Sequence, residues 1–249
     1  MSAAPSIAVV IPVRNGMPWL AEALASVRAQ NRAVEVAVID DGSTDRTVEY
    51  VTGLDGFCSH FSQLGGRGPS AARNAGIRAT GSELVAFLDA DDVWPAGALD
   101  ALAEALAASP ECGFAQGLIQ NFRTGPSGVK EFFTAPYRFL NLGACLWRRS
   151  LFQTVGVFAE ELSLSEDLDM MMRCWEKDVR KAEVNAVTLF YRRHPGNMTR
   201  GLSGAGFGTV KAYKRRIDRI RSGDYNPSAP RHCAHDTYLG TGPLNQDGF

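Results

Sequence analysis

Three short apolar runs constrain this chain most, because each breaks off into a polar, carboxylate-bearing or turn-forming stretch. They are Ile7 to Pro12, Val34 to Ile39 and Leu84 to Leu88. Continuous β-branched and aliphatic runs of this length read as strands buried on both faces, the pattern of a parallel sheet. Between the first two, Leu20, Leu24 and Val27 share one helical face, with Pro18 expected at the first helical position. After the second, Val48 and Val51 mark another helix, for which Ser43 or Thr44 is the expected cap. The β-α-β-α order predicts an α/β domain with a mainly parallel central sheet, helices on its faces and right-handed crossovers. Ligands in such sheets bind beyond the carboxyl ends of the strands.

Those ends are acidic. The second strand runs into Asp40-Asp41-Gly42-Ser43-Thr44-Asp45, and the third into Asp89-Ala90-Asp91-Asp92-Val93-Trp94. Carboxylates this close repel, and a buried one without a partner is costly. A divalent metal carrying a nucleotide diphosphate would hold them together, since Mg2+ and Mn2+ take oxygen ligands and phosphates. Taken alone, the second cluster would serve equally to cap a helix beginning near Pro95. Between the two clusters, Gly65, Gly66 and Gly68 make a flexible loop. It leads into a small-residue helix from Pro69 that carries Arg73 and Asn74, which either face solvent or face the crevice.

A chain of 249 residues with 45% hydrophobic and 21% charged residues has the composition of a globular α/β protein, and a net charge of −1 gives no sign of a nucleic-acid partner. Cys58, Cys112, Cys145, Cys174 and Cys233 are scattered without CxxC spacing, against a disulfide framework or zinc site and in keeping with a reducing compartment. The first strand starts almost at once, leaving no room for a signal peptide. The expected location is therefore cytoplasmic.

Four segments together resemble the successive motifs of family 2 glycosyltransferases. They are Val9-Val10-Ile11-Pro12-Val13-Arg14-Asn15-Gly16, Ile39 to Asp45, Gly68-Pro69-Ser70-Ala71-Ala72-Arg73-Asn74-Ala75-Gly76, and Phe87 to Asp92. The resemblance extends over about residues 5 to 200. It implies a GT-A, Rossmann-like fold, a nucleotide-sugar donor (a UDP-sugar by family expectation), Mn2+ or Mg2+, and inversion at the anomeric carbon. It implies that Pro12, Val13, Arg14 and Asp41 border the base and ribose, that Arg73 holds the nucleotide, and that Asp89, Ala90 and Asp91 form the DxD element. By the resemblance Asp91 or Asp92 touches the ribose or ligates the metal, and which of the two is the main metal ligand stays open.

Farther on, Glu131 to Tyr137 carries Phe132, Phe133 and Tyr137, which read as core sooner than as a sugar platform. Gly143 and Ala144 fall where the family lines the acceptor side, and their small size would let a substrate approach the backbone. Ser165-Glu166-Asp167-Leu168-Asp169 opens a helix; acidic residues there cap and complement the dipole. The resemblance nevertheless matches Asp167 to the family's general base, Glu166 to an acceptor-orienting group and Arg173 to the arginine six residues on. A strand from Asn185 to Tyr191 ends in Arg192-Arg193-His194, which suits a diphosphate or a metal, with His194 read equally as a metal ligand or as a structural imidazole. Asn197-Met198-Thr199 matches a glycosylation sequon by chance.

The expected organisation is a nucleotide-sugar half over about 1–115, an acceptor half over 116–200, a C-terminal amphipathic helix over 201–223 and a loosely ordered tail over 224–249. The helix aligns Phe207, Val210, Tyr213, Ile217 and Ile220 among six basic residues. It can pack on the domain or lie on an anionic membrane. Two further classes remain. A nucleotide-sugar-binding module without catalysis would keep the donor motifs, and a nucleotidyltransferase would need a Gly-rich phosphate loop right after the first strand, which is absent.

Overall fold

The computed structural model describes residues 4–54, 56–162, 164–198 and 208–240. Its first half is the expected wound sheet. Strands β1 (Ile7–Val13), β2 (Glu35–Asp40), β3 (His60–Gln63) and β4 (Leu84–Phe87) lie parallel in the order β3-β2-β1-β4. β1 is buried at every position because helices cover both faces. On one face lie α1 (Leu20–Arg28), α2 (Thr47–Thr52) and α4 (Ala98–Ala108); on the other lies α3 (Pro69–Ala79). A Cβ at Gly76 of α3 would meet the Val10 side chain at 2.2 Å, so only glycine lets this helix sit so close to β1.

The second half extends the sheet with mixed pairing. β7 (Cys145–Arg148) runs antiparallel to β4 and to β5 (Cys112–Thr124). β5 pairs antiparallel with β6 (Lys130–Phe132) and parallel with β8 (Arg180–Arg192). A 3-10 turn at Leu142–Ala144 precedes β7, and α5 (Arg149–Val155) and α6 (Glu166–Glu176) follow it. Helices α7 (Thr209–Arg221) and α8 (His235–Leu239) close the described chain.

Several local expectations shift. Pro18 lies before α1, because Gly16 O accepts from both Trp19 N and Leu20 N in a turn that precedes the helix. Ser43 and Thr44 do not cap α2. Asp45 Oδ1 accepts from Thr47 N instead, while Thr44 N and Ser43 Oγ bind Asn15. Phe132 and Phe133 are 43% and 38% exposed, not core, because the β5–β6 hairpin stands at the sheet's edge.

The tail differs most. Tyr225 and Tyr238 are buried, and α8 puts Tyr238 edge-on against Phe114, with its carbonyl accepting from Lys181 Nζ at 2.7 Å. The expectation of a loosely ordered tail therefore fails for residues 224–240: two tyrosines supply enough apolar surface to dock an otherwise polar segment. Residues 241–249, Phe207 and Thr199 lie outside the described residues. We expect Tyr238→Ala to destabilise the fold by about 3 kcal/mol, a Tm loss of roughly 6–12 °C in thermal denaturation. Tyr238→Phe should cost nothing or gain, since the buried hydroxyl has no hydrogen-bond partner. Among the described residues no helix is long and apolar enough to cross a membrane.

Candidate functional site

The carboxyl ends of β2, β1 and β4 lie side by side, at the edge where sheets of this kind form their ligand crevice. Asn15, in the left-handed region at φ 53°, turns its Oδ1 to the backbone N–H of Thr44 and Asp45, and Asp41 N donates to Val13 O at 2.7 Å. The first two loops are thus tied into a single rim. Pro12 and Val13 are buried in β1, and Arg14 stands exposed just past it. Asp41 is only 5% exposed. Its carboxylate accepts from Gly66 N (3.0 Å), Arg67 N (2.6 Å) and Gly68 N (2.7 Å), so the Gly-rich loop wraps around it.

Arg73 and Asn74 do not face solvent. Asn74 is buried and fastens Phe158 through both its amide groups, with Nδ2 donating to Phe158 O and Oδ1 accepting from Phe158 N. Arg73 points into the crevice. Its guanidinium donates to Asp89 Oδ1 at 2.7 Å and to Glu166 Oε1 at 2.6 Å, and it is kept charged by those two carboxylates against the cost of burial. One buried cation thereby joins the end of β4 to the start of α6.

The three aspartates after β4 have different surroundings. Asp89 is partly exposed while bonded to Arg73; burial pushes its carboxyl upward and Arg73 opposes that. Ala90 is buried between it and Asp91. Asp91 turns toward the last loop, where its Oδ2 lies 3.0 Å from His194 Nε2 and 3.3 Å from Asn197 Nδ2. Asp92 turns away. It is 1% exposed, Oδ1 accepts from Arg192 N at 2.8 Å, and Oδ2 has no partner. Burial first, then Asp91 and Asp89, push its carboxyl well above the ordinary range. Asp92 therefore does not join Asp91 and His194; it is drawn inward by the backbone of β8.

Arg192, expected to suit a phosphate or a metal, is buried as a structural hub. It donates to Asp91 O and Thr124 Oγ1, pairs with Glu22 of α1, and lies over the Trp19 and Phe122 rings. No local pattern could reveal this, because Glu22 lies 170 positions away.

At the start of α6, Ser165 sits in the left-handed region at φ 62°, where non-glycine residues are uncommon, and aims the next two carboxylates. Glu166 is buried against Arg73. Asp167 is half-buried. Burial and the neighbouring Glu166 carboxylate push it up to about 7, with Leu168 N–H and Arg73 opposing. A carboxylate at that value is a proton acceptor matched to neutral pH.

Three acceptor-side expectations are corrected in part. Gly143 and Ala144 are buried, and the space beside Gly143 is taken by Asn141 and Leu189, while its carbonyl accepts from Trp94 Nε1. Arg173 is likewise buried. It binds Asp169 and the carbonyls of Val155, Gly156 and Val157, so it splints α6 to the end of α5. Glu166 alone of that set borders the crevice.

The family model described as glycosyl transferase family 2 matches residues 8–150, more than half of the chain. The chain belongs to glycosyl transferase family 2. Among curated relatives of this family 2 member, the succinoglycan biosynthesis protein ExoU of Rhizobium meliloti is 38% identical over 105 residues, 41% of this chain and 31% of that protein. The uncharacterized glycosyltransferase EpsJ of Bacillus subtilis is 24% identical over 78% of this chain and 63% of its own length. The matched stretch thus spans about a third of the first relatives' length. Among solved structures, S. aureus TarS in complex with UDP-GlcNAc superposes with a TM-score of 0.64 at 24% identity, covering 80% of this chain and 61% of that one. The mannosyltransferase PcManGT of Pyrobaculum calidifontis, in complex with GDP-Man and Mn2+, gives 0.61 at 19% identity, covering 92% and 67%. These likenesses support the GT-A fold.

Proposed function

We propose that this chain is an inverting glycosyltransferase that moves a sugar from a nucleotide-diphosphate sugar to an acceptor hydroxyl. The observation that carries this reading is Arg73 bridging Asp89 and Glu166, which brings the donor-side carboxylates and the α6 carboxylates to one crevice. Pro12, Val13, Arg14 and Asp41 border the base and ribose, and the Gly65–Gly68 loop held by Asp41 closes that side. Asp167 accepts the proton of the attacking hydroxyl from the face opposite the leaving diphosphate. Glu166 and Arg73 fix where it stands. The acceptor is a saccharide or another hydroxyl compound.

The donor set also fits a divalent ion. Among the described residues no three His, Cys, Asp or Glu side chains converge. Asp91 and His194 converge as a pair and would hold Mn2+ or Mg2+ together with phosphate and water oxygens. When bound, such an ion would neutralise charge on the leaving diphosphate. We expect weak metal binding to the free protein and much tighter binding with UDP present, measured by calorimetry.

The uridine preference rests on the family expectation alone, and a panel of UDP-, GDP- and dTDP-sugars tests it together with the reaction. Metal-dependent release of nucleoside diphosphate, accelerated by an acceptor hydroxyl, is the expected result. Donor binding without release for every donor and acceptor tried would instead make the chain a binding module.

A further inference from the structure

Helix α7 is mounted inside out. Its Arg215, Arg216 and Arg219 face the domain, where Asp169 and Glu176 of α6 await them. Asp169 accepts from Arg215 Nε (3.2 Å) and Arg219 (3.1 Å), and Glu176 takes Arg219 through two bonds of 2.6 and 2.9 Å. Arg216 approaches Glu176 and lies over the Trp175 ring, and Arg215 also pairs with Glu161. Of the helix only Ala212 is buried. Of the apolar stripe that an amphipathic helix normally packs inward, Ile220 rests against the core, while Val210, Tyr213 and Ile217 are turned to solvent at 67%, 40% and 46% exposure. Lys211, Lys214 and Arg221 flank it, also exposed, and Asp218, paired with Lys214, is the one carboxylate on that side of the helix.

We propose that this outward face of α7 seats the protein on an anionic lipid surface. Two features select that occupant. A stable protein–protein contact covers roughly 800 Å² per partner, whereas three apolar side chains on a 13-residue helix offer far less. An interfacial helix needs only such a stripe, sunk roughly 5–10 Å among the headgroups. The surrounding charge is also of the required sign, because three cations against one aspartate are drawn to acidic headgroups. The inward guanidinium clasp has a consequence: it fastens the lipid-facing helix to α6, whose first turn carries Asp167. A lipid surface would then lie at a fixed position relative to the crevice.

The test is sedimentation of the full chain with vesicles of phosphatidylcholine, and with vesicles of phosphatidylcholine and phosphatidylglycerol in equal parts. The expected result is roughly ten- to hundredfold tighter binding to the anionic vesicles, weakened by salt. Ile217→Ser and the double variant Lys211→Glu/Lys214→Glu should each lose most of that binding while the fold stays intact, since neither touches the inward clasp; the double variant loses at most a few degrees of Tm with the exposed Lys214–Asp218 pair. Equal binding to both vesicle types, or to neither, overturns the proposal. So does a dimer in solution that Ile217→Ser dissolves while vesicles never bind, which would give the face to a second copy of the chain.

Discussion

Asp167→Asn is expected to cut turnover by roughly a hundred- to ten-thousandfold, the contribution of a positioned general base, while leaving donor affinity unchanged. Asparagine keeps the size of the side chain and an oxygen for Leu168 N–H, which bonds Asp167 Oδ1 at 2.7 Å, but it cannot take a proton. A residue that merely opened α6 would show the reverse, about 1 kcal/mol of stability lost and near-normal turnover. The pH dependence separates the readings further. The native carboxyl is pushed up to about 7, so the wild-type rate should rise with pH through that region as the base loses its proton. A raised carboxylate binds protons more tightly in the folded state than in the unfolded one. Stability is therefore lost as pH rises from about 4 toward 7. The variant lacks that group, so its Tm relative to wild type should improve between pH 5 and pH 8, measured by thermal melts at both. A variant with full turnover, or with the same relative Tm at both values, would remove Asp167 from the chemistry.

The rim at the ends of β1 and β2 was legible in the sequence because its motifs are contacts as well as patterns. Asn15 follows β1 at the position where it can bind the Ser43–Thr44–Asp45 loop, and Asp41 sits where it can hold the glycines of the next loop. Residues that bond their motif neighbours occur together, so reading them in order recovers the rim. Apolar period placed β1, β2 and β4 for the same reason: both faces of these strands are buried, and their composition says so.

What stayed hidden depends on distant or edge positions. β3 is a short sheet-margin strand, His-Phe-Ser-Gln, with no apolar run to announce it. The position of Arg192 is set by Glu22, Trp19 and Phe122 from three other elements. Arg173 fits the family spacing yet works as a splint, since its guanidinium meets three carbonyls at the end of α5. α7 shows the limit most clearly. Its pattern states that one face is apolar, but which face turns inward is decided by Asp169 and Glu176, two buried carboxylates on another helix that the guanidinium groups of Arg215 and Arg219 satisfy.

Burial likewise splits the doubled aspartate. Asp91→Asn should abolish metal-dependent donor binding and turnover, and excess chelator should do the same to wild type. Asp92→Asn should leave both within a few-fold. Asp91 faces His194 from a half-open position and offers charge that a divalent ion can use. Asp92 has its carboxyl pushed upward by burial, is sealed from solvent and spends one oxygen on Arg192 N. Asparagine at 92 preserves that acceptor and removes a charge the site already disfavours. At 91 it removes one of the two side chains proposed to hold the ion, and with it the metal-dependent gain in donor affinity. Titrating each variant with UDP in the presence and absence of Mn2+ gives the decision. A metal-dependent gain in affinity that survives Asp91→Asn but vanishes in Asp92→Asn would mean that the inward carboxylate swings out when the ion binds and that Asp91 is the bystander.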